Sequence, residues 1–216
     1  MMTDDALIAK LAADLKPIRG TRAKSSLLMA AAVGSLGAVA LALFWPSLGP
    51  RPDLRSATLT TVFWVKMMYT ASVSILGFGA LHRLSRPDCD PVRWVALLWL
   101  PVGLLCLVTA LAWALAPASA DAAFWLGSSW WQCPLYVLGL SVPAGAALLW
   151  AVSQLAPARL APAGAAAGLV AGALAATAYA LHCGESSPGF VLIWYSLGLL
   201  AATAAGALLG PRVLVW

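Results

Sequence analysis

Apolar residues run along this chain in six blocks, with charge pushed to their ends, over 26–45, 59–81, 93–116, 134–155, 161–182 and 189–210. About 20 apolar residues in succession is the length at which an α-helix crosses the hydrocarbon core of a bilayer, and the blocks therefore predict six transmembrane helices. Only Lys66 interrupts them. The stretches PSLGPRPD, HRLSRPDCDP, APASAD, LAPARLAP and GESSPG separate successive blocks with the Pro, Gly and charged residues that end helices. The fold class this implies is all-α, a polytopic membrane protein whose even number of spans puts both termini on one side.

Ahead of the first block the pattern changes. Residues 3–16 read as a short amphipathic helix, with Thr3 as N-cap, Asp4 and Asp5 in the first turn where the helix dipole favours anions, and Pro17 as the stop. Leu7, Ile8, Leu11, Ala12 and Leu15 fall on one face, while Asp5, Lys10, Asp14 and Lys16 lie elsewhere on the surface. A helix this short is marginal alone. It lies on the inner leaflet, helped by the basic run Lys16 to Lys24, or folds into the hydrophobic groove of a cytosolic protein. The chain thus divides into residues 1–25, a candidate partner-binding segment, and 26–216, a six-helix transmembrane domain. About 25 residues with three acids precede the first apolar block, so that block is expected to be a retained helix, not a cleaved signal.

Composition agrees with a lipid solvent: 62% of residues are hydrophobic, 10% are charged, and mean hydropathy is +0.88. The net charge of +5 carries no suggestion of direct nucleic-acid contact, because the cations sort by side of the membrane. Lys10, Lys16, Arg19, Arg22, Lys24, Arg83, Arg86, Arg93, Arg159 and Arg212 fall on one side, and only Arg51 and Arg55 on the other. By the positive-inside rule, both termini are expected in the cytoplasm. Eight tryptophans, Trp45, Trp64, Trp113, Trp125, Trp130, Trp131, Trp150 and Trp216, fall near block ends as an aromatic belt.

The outer-face cysteines carry the candidate chemistry. Cys133 opens the fourth block and Cys183 closes the fifth, and the midpoint of their numbers falls inside the turn joining them. Two antiparallel helices rise equally from a tight turn, which sets the two thiols at one depth. They could form a structural disulfide, act as a redox- or metal-responsive pair, or be inert small residues. His182 and Glu185 add ligand types for a soft metal ion, although His182 and Cys183 project about 100° apart on a helix. Cys89 reads as a loop thiol and Cys106 as a packing residue. Lys66, about seven residues into the second block, is expected to snorkel outward or to pair with Asp53, Asp121 or Glu185; a Lys66–Glu185 link would tie the second span to the cysteine loop. Gly164, Gly168 and Gly172, with Gly206 and Gly210, predict close helix contact, within the chain or at a dimer face. Pro101 and Pro143 predict kinks.

No nucleophile triad, phosphate loop or H-E-x-x-H motif appears, and no enzymatic activity is expected. A small transporter is disfavoured because no acid lies inside a block, and a thiol-disulfide oxidoreductase because no closely spaced cysteine pair exists. The segment Leu7-Ile8-x-x-Leu11-Ala12-x-Asp14-Leu15-x-Pro17-Ile18-Arg19, followed by Cys133-Pro134, Tyr179-Ala180-Leu181-His182-Cys183-x-Glu185-Ser186-x-Pro188, Trp194-Tyr195-x-Leu197-Gly198 and the ending Gly206 to Arg212, resembles the NrsF family, the negative regulators of sigma F. That resemblance implies a bacterial inner-membrane anti-sigma factor. It would hold an extracytoplasmic-function sigma factor through Leu7, Ile8, Leu11 and Leu15, and release it under heavy-metal or oxidative stress. The family's two key cysteines match Cys133 and Cys183, with a soft metal ion as a signal and no obligatory cofactor. Replacing Leu11 and Leu15 with Asp is expected to abolish partner capture from cytosol while membrane insertion persists; capture retained by that variant removes the stripe from this reading.

Overall fold

The computed structural model of the chain describes residues 20–45, 48–49, 51–86, 91–116 and 121–215. The amphipathic segment with Leu7, Ile8, Leu11 and Leu15, together with Cys89 and Trp216, lies outside the described residues. Six helical stretches are long and apolar enough to cross a membrane: Ala23–Phe44, Thr61–Leu84, Val92–Ala114, Gln132–Ser153, Leu160–Tyr179 and Pro188–Val213. Each overlaps one of the six apolar blocks. The first helix, α1 (Gly20–Phe44), begins before residue 26, so the boundary drawn there from the sequence falls inside a helix.

A short α2 (Leu54–Ala57) leads into α3 (Thr61–Leu84). The third span is broken into α4 (Val92–Leu97) and α5 (Trp99–Ala114). Pro101 accounts for the break, since its ring excludes the carbonyl four residues earlier, that of Leu97, from regular helix geometry. Pro143, by contrast, sits within an unbroken α7 (Gln132–Ser153), which follows the short α6 (Asp121–Trp125). The chain then turns at Ala156, with φ 50°, into α8 (Leu160–Tyr179), and ends in α9 (Pro188–Phe190), a π-helical turn at Val191–Tyr195 and α10 (Ser196–Val213).

The most buried span is α8, and α3, α7 and α10 pack around it with α1 behind α7. Its sequence explains the position. Ala and Gly dominate α8, and without large side chains two backbones approach until van der Waals contact and weak polar contacts hold them in lipid, where no hydrophobic force drives helices together. A Cβ on Gly164 would strike the Gly206 carbonyl, one on Gly168 the Ala202 carbonyl, and one on Gly210 the Leu160 carbonyl. The glycine face therefore packs α8 against α10 within the chain. On the other side Gly34 and Gly37 of α1 lie against Ala144 and Pro143 of α7. Around this centre Leu100, Leu104, Leu107 and Leu111 of α5 are exposed, as a lipid-facing surface requires.

Polar side chains pair across the spans: Thr70 and Thr177 hydroxyls lie 2.9 Å apart, and Tyr69 Oη lies 2.7 Å from Ser196 Oγ. Gly206→Ala is expected to destabilise the chain by about 1–3 kcal/mol through overpacking, even though Ala favours helix. Gly103→Ala, where a Cβ meets open space, is the matched control and is expected to be neutral or stabilising. Thermal melting of the solubilised chain distinguishes them, and equal melting temperatures would contradict the packing.

Candidate functional site

The odd-numbered interhelical connections gather at one end of the bundle, opposite the end that holds Lys24, Arg83, Arg93, Arg159 and Arg212. Their contacts begin with the end of α8. Past Tyr179 the helix loosens into turns that use the carbonyls of Ala176, Ala178 and Tyr179 and leave those of Leu181 and Cys183 to donors from elsewhere in the fold. Donors from the first connection and the second span supply them. The Arg51 amide reaches Leu181 O at 3.4 Å, Arg51 Nη1 donates to Cys183 O at 3.2 Å, and Lys66 Nζ donates to the same oxygen at 3.2 Å. Two cations on one helix C-terminus also suit the negative end of its dipole.

Lys66 therefore does not snorkel, and it forms no ion pair with Asp53 or Glu185; the side chain of Asp121 lies outside the described residues. It is 1% exposed and turned inward onto a backbone carbonyl. The expected tie between the second span and the cysteine loop exists, but it runs through Cys183 O. Asp53 is taken by Arg51, whose Nε and Nη2 grip its two oxygens at 2.6 and 2.5 Å. That hydrogen-bonded pairing raises the Arg51 pKa and holds Asp53 below the usual carboxylate range.

Glu185 closes the other flank. Its Oε1 accepts hydrogen bonds from Ser128 N (2.8 Å), Ser128 Oγ (2.6 Å), Ser129 N (3.2 Å) and Ser129 Oγ (3.2 Å), just ahead of α7. Partial burial pushes this carboxyl up, but the serine donors together outweigh it and its pKa lies below the ordinary glutamate range. Gly127 permits the approach: its φ is +61°, and a Cβ there would meet the Glu185 carboxylate and the Phe190 ring. Ser187 Oγ donates to Phe124 O at 2.6 Å and Trp194 Nε1 to Trp125 O at 2.9 Å, so the fifth connection and last span are also bound to α6.

Inside this frame lie the cysteines. Cys133, on the first turn of α7, is 0% exposed, and Cys183 is 2% exposed; both thiols are free and belong to one buried cluster with Tyr179, Phe190 and Tyr195. Each thiol lies within the electrostatic reach of the other and of Lys66. Tyr179 bridges the aromatic side of the cluster, its ring centroid 5.8 Å from those of Tyr136, His182 and Tyr195. A polar cavity of about 300 Å³, lined by Ser129, Gln132, Tyr179, His182, Cys183 and Glu185 among others, leads from the surface to Cys183.

Cys133 and Cys183 share one buried cluster. The wider ligand set does not converge: His182 Nδ1 lies 2.7 Å from Gly49 O, to which it donates in the Nδ1–H tautomer, and Glu185 is held by serines. Among the described residues no group of three or more His, Cys, Asp and Glu is arranged to hold a metal ion. Cys106 is exposed on the third span.

The pattern described as negative regulator of sigma F, NrsF, matches residues 11–216. The chain belongs to the NrsF family. It is 40% identical over 221 residues to the anti-sigma-F factor NrsF of Caulobacter vibrioides, and 39% identical over 217 residues to the probable anti-sigma-F factor NrsF of Azospira oryzae, with all of both chains covered in each case. No solved structure matches. The NrsF match takes in the whole cysteine cluster and begins at Leu11, leaving Leu7 and Ile8 outside it.

Sequence reasoning overlooked three residues of this NrsF cluster. Tyr179 stands four residues before Cys183, a spacing that puts both on one helix face, and that signal was available. Arg51 was readable only as a loop charge, and Tyr195 only as part of a motif. Because the Glu185 pKa is depressed, the stability of its serine clamp is present above the ordinary glutamate range and is lost as pH falls through the lowered value. The wild-type melting temperature is therefore expected to drop on the acid side of that range, and Glu185→Gln to flatten the drop. An unchanged acid profile in the variant would remove the clamp from the account of stability.

Proposed function

We propose that this chain is an inner-membrane anti-sigma factor that sequesters an extracytoplasmic-function sigma factor and releases it when Cys133 and Cys183 sense heavy-metal or oxidative stress. The observation that carries this reading is the end-to-end likeness to two proteins named as anti-sigma-F factors. The charge distribution supports an orientation with both termini in the cytoplasm and the cysteine end in the periplasm. The partner site is assigned to the N-terminal stripe of Leu7, Ile8, Leu11 and Leu15. A soft metal ion acting as signal would engage the two thiols.

The packing supports a route between the two ends. Cys133 lies on the first turn of α7, α7 packs on α1 through Gly34 and Gly37, and the far end of α1 continues into the N-terminal segment. A change at the thiols that shifts α7 against α8 would move α1 with it and alter access to the stripe. Such a switch needs two packings only a few kcal/mol apart, each favoured by one state of the thiols. Cys133→Ser and Cys183→Ser are each expected to retain sigma-factor capture and to lose release on exposure to cadmium ion or hydrogen peroxide, measured by co-purification. Normal release in either variant would defeat the sensor role.

A further inference from the structure

Beside the two thiols stand two hydrogen-bond donors, Tyr195 and Lys66. Tyr195 is fully buried, lies beside the Cys183 sulfur, and its hydroxyl has no partner of good geometry; it is the buried side-chain polar atom left unsatisfied among the described residues. Its position depends on the π-helical turn at Val191–Tyr195, a local widening that often marks functional sites. Lys66 donates to Cys183 O, and among the described residues it has no acidic partner. The nearest polar ligands are already engaged, Glu185 Oε1 with four donors and His182 Nδ1 with Gly49. Donors with unused capacity beside the thiols suit an oxidised product that brings a new acceptor.

Access distinguishes the two cysteines. Cys183 lines the polar cavity and Cys133 does not. A volume of about 300 Å³ admits a small neutral oxidant and excludes a protein reductant or a bulky disulfide.

We infer that Cys183 is the thiol that first reacts with a small hydroperoxide, and that Lys66 Nζ and Tyr195 Oη are the donors that receive the oxygen of its sulfenic acid, an assignment resting on the sensing role proposed above. In this step the Cys183 sulfur loses two electrons: an S–O bond forms, the peroxide O–O bond breaks, and the thiol proton leaves with the departing oxygen, as water from hydrogen peroxide and as an alcohol from an organic hydroperoxide. Cys133 is then the neighbour able to displace the second oxygen as water by forming an S–S bond.

The test uses the full chain in membrane vesicles, treated with hydrogen peroxide and then dimedone, with adducts located by mass spectrometry. In Cys133→Ser, which removes the competing S–S step, the adduct is expected on Cys183 at a yield about tenfold above that on Cys133 in Cys183→Ser. In the Cys133→Ser background, Tyr195→Phe and Lys66→Met are each expected to lower the Cys183 adduct severalfold, and Lys66→Arg to retain it; melting curves confirm that these variants fold. Comparable yields on the two cysteines would overturn the order of reaction, and an unchanged yield in Tyr195→Phe or Lys66→Met would remove that residue from the assignment. Peroxide-driven release of the captured sigma factor is followed in the same vesicles. Release that persists in either serine variant overturns the sensing role itself, whereas release lost in both with the adduct yield unmoved by Lys66 and Tyr195 overturns only the donor assignment.

Discussion

An ammonium group buried among apolar helices must find oxygen, and here Lys66 finds the carbonyl of Cys183. This contact accounts for more of the cysteine end than any other. It holds the second span against the end of α8, fixes the backbone at the residue that carries one thiol, and places positive charge next to both. Arg51 reaches the same carbonyl from the first connection, so three separated parts of the chain meet at one atom. An uncompensated donor at that depth would be costly, which makes the arrangement difficult to loosen without changing the surroundings of the cysteines.

The rest of the bundle serves this end by being closely packed. Small residues along α8 let α10 approach backbone to backbone, and the same rule brings α1 onto α7. Helices in such contact have few intermediate positions, so a displacement at one end is carried along their length. The cysteine cluster and the charged opposite end are thereby parts of one mechanical unit. The third span, broken before Pro101 and the least buried, contributes least to it.

Much of this was legible in the sequence because lipid imposes a simple rule. Apolar blocks of about 20 residues with charged ends can hardly be anything but spans, and the glycine spacing in the fifth and sixth predicted a contact that the structure contains. That Cys133 and Cys183 belong to the same end of the bundle followed from counting residues out of a tight turn. The partner of Lys66 was not legible, because a backbone carbonyl has no signature in sequence; the expectation of an acid followed from charge alone. Glu185 looked like a ligand beside His182 and Cys183, yet serines 56 and 57 positions earlier claim it. The π-turn that sets Tyr195 is invisible in a run of apolar residues, where one extra residue per turn leaves no mark on the hydrophobic pattern.

The claim on which everything turns is that the state of the buried thiols governs the hold on a sigma factor. The direct measurement is co-purification of a sigma factor with the full chain from native membranes, first reduced, then treated with methyl methanethiosulfonate, then reduced again with dithiothreitol. Retention, release and renewed capture in that order is the expected result. A sigma factor held equally in all three states, or never held at all, would contradict it.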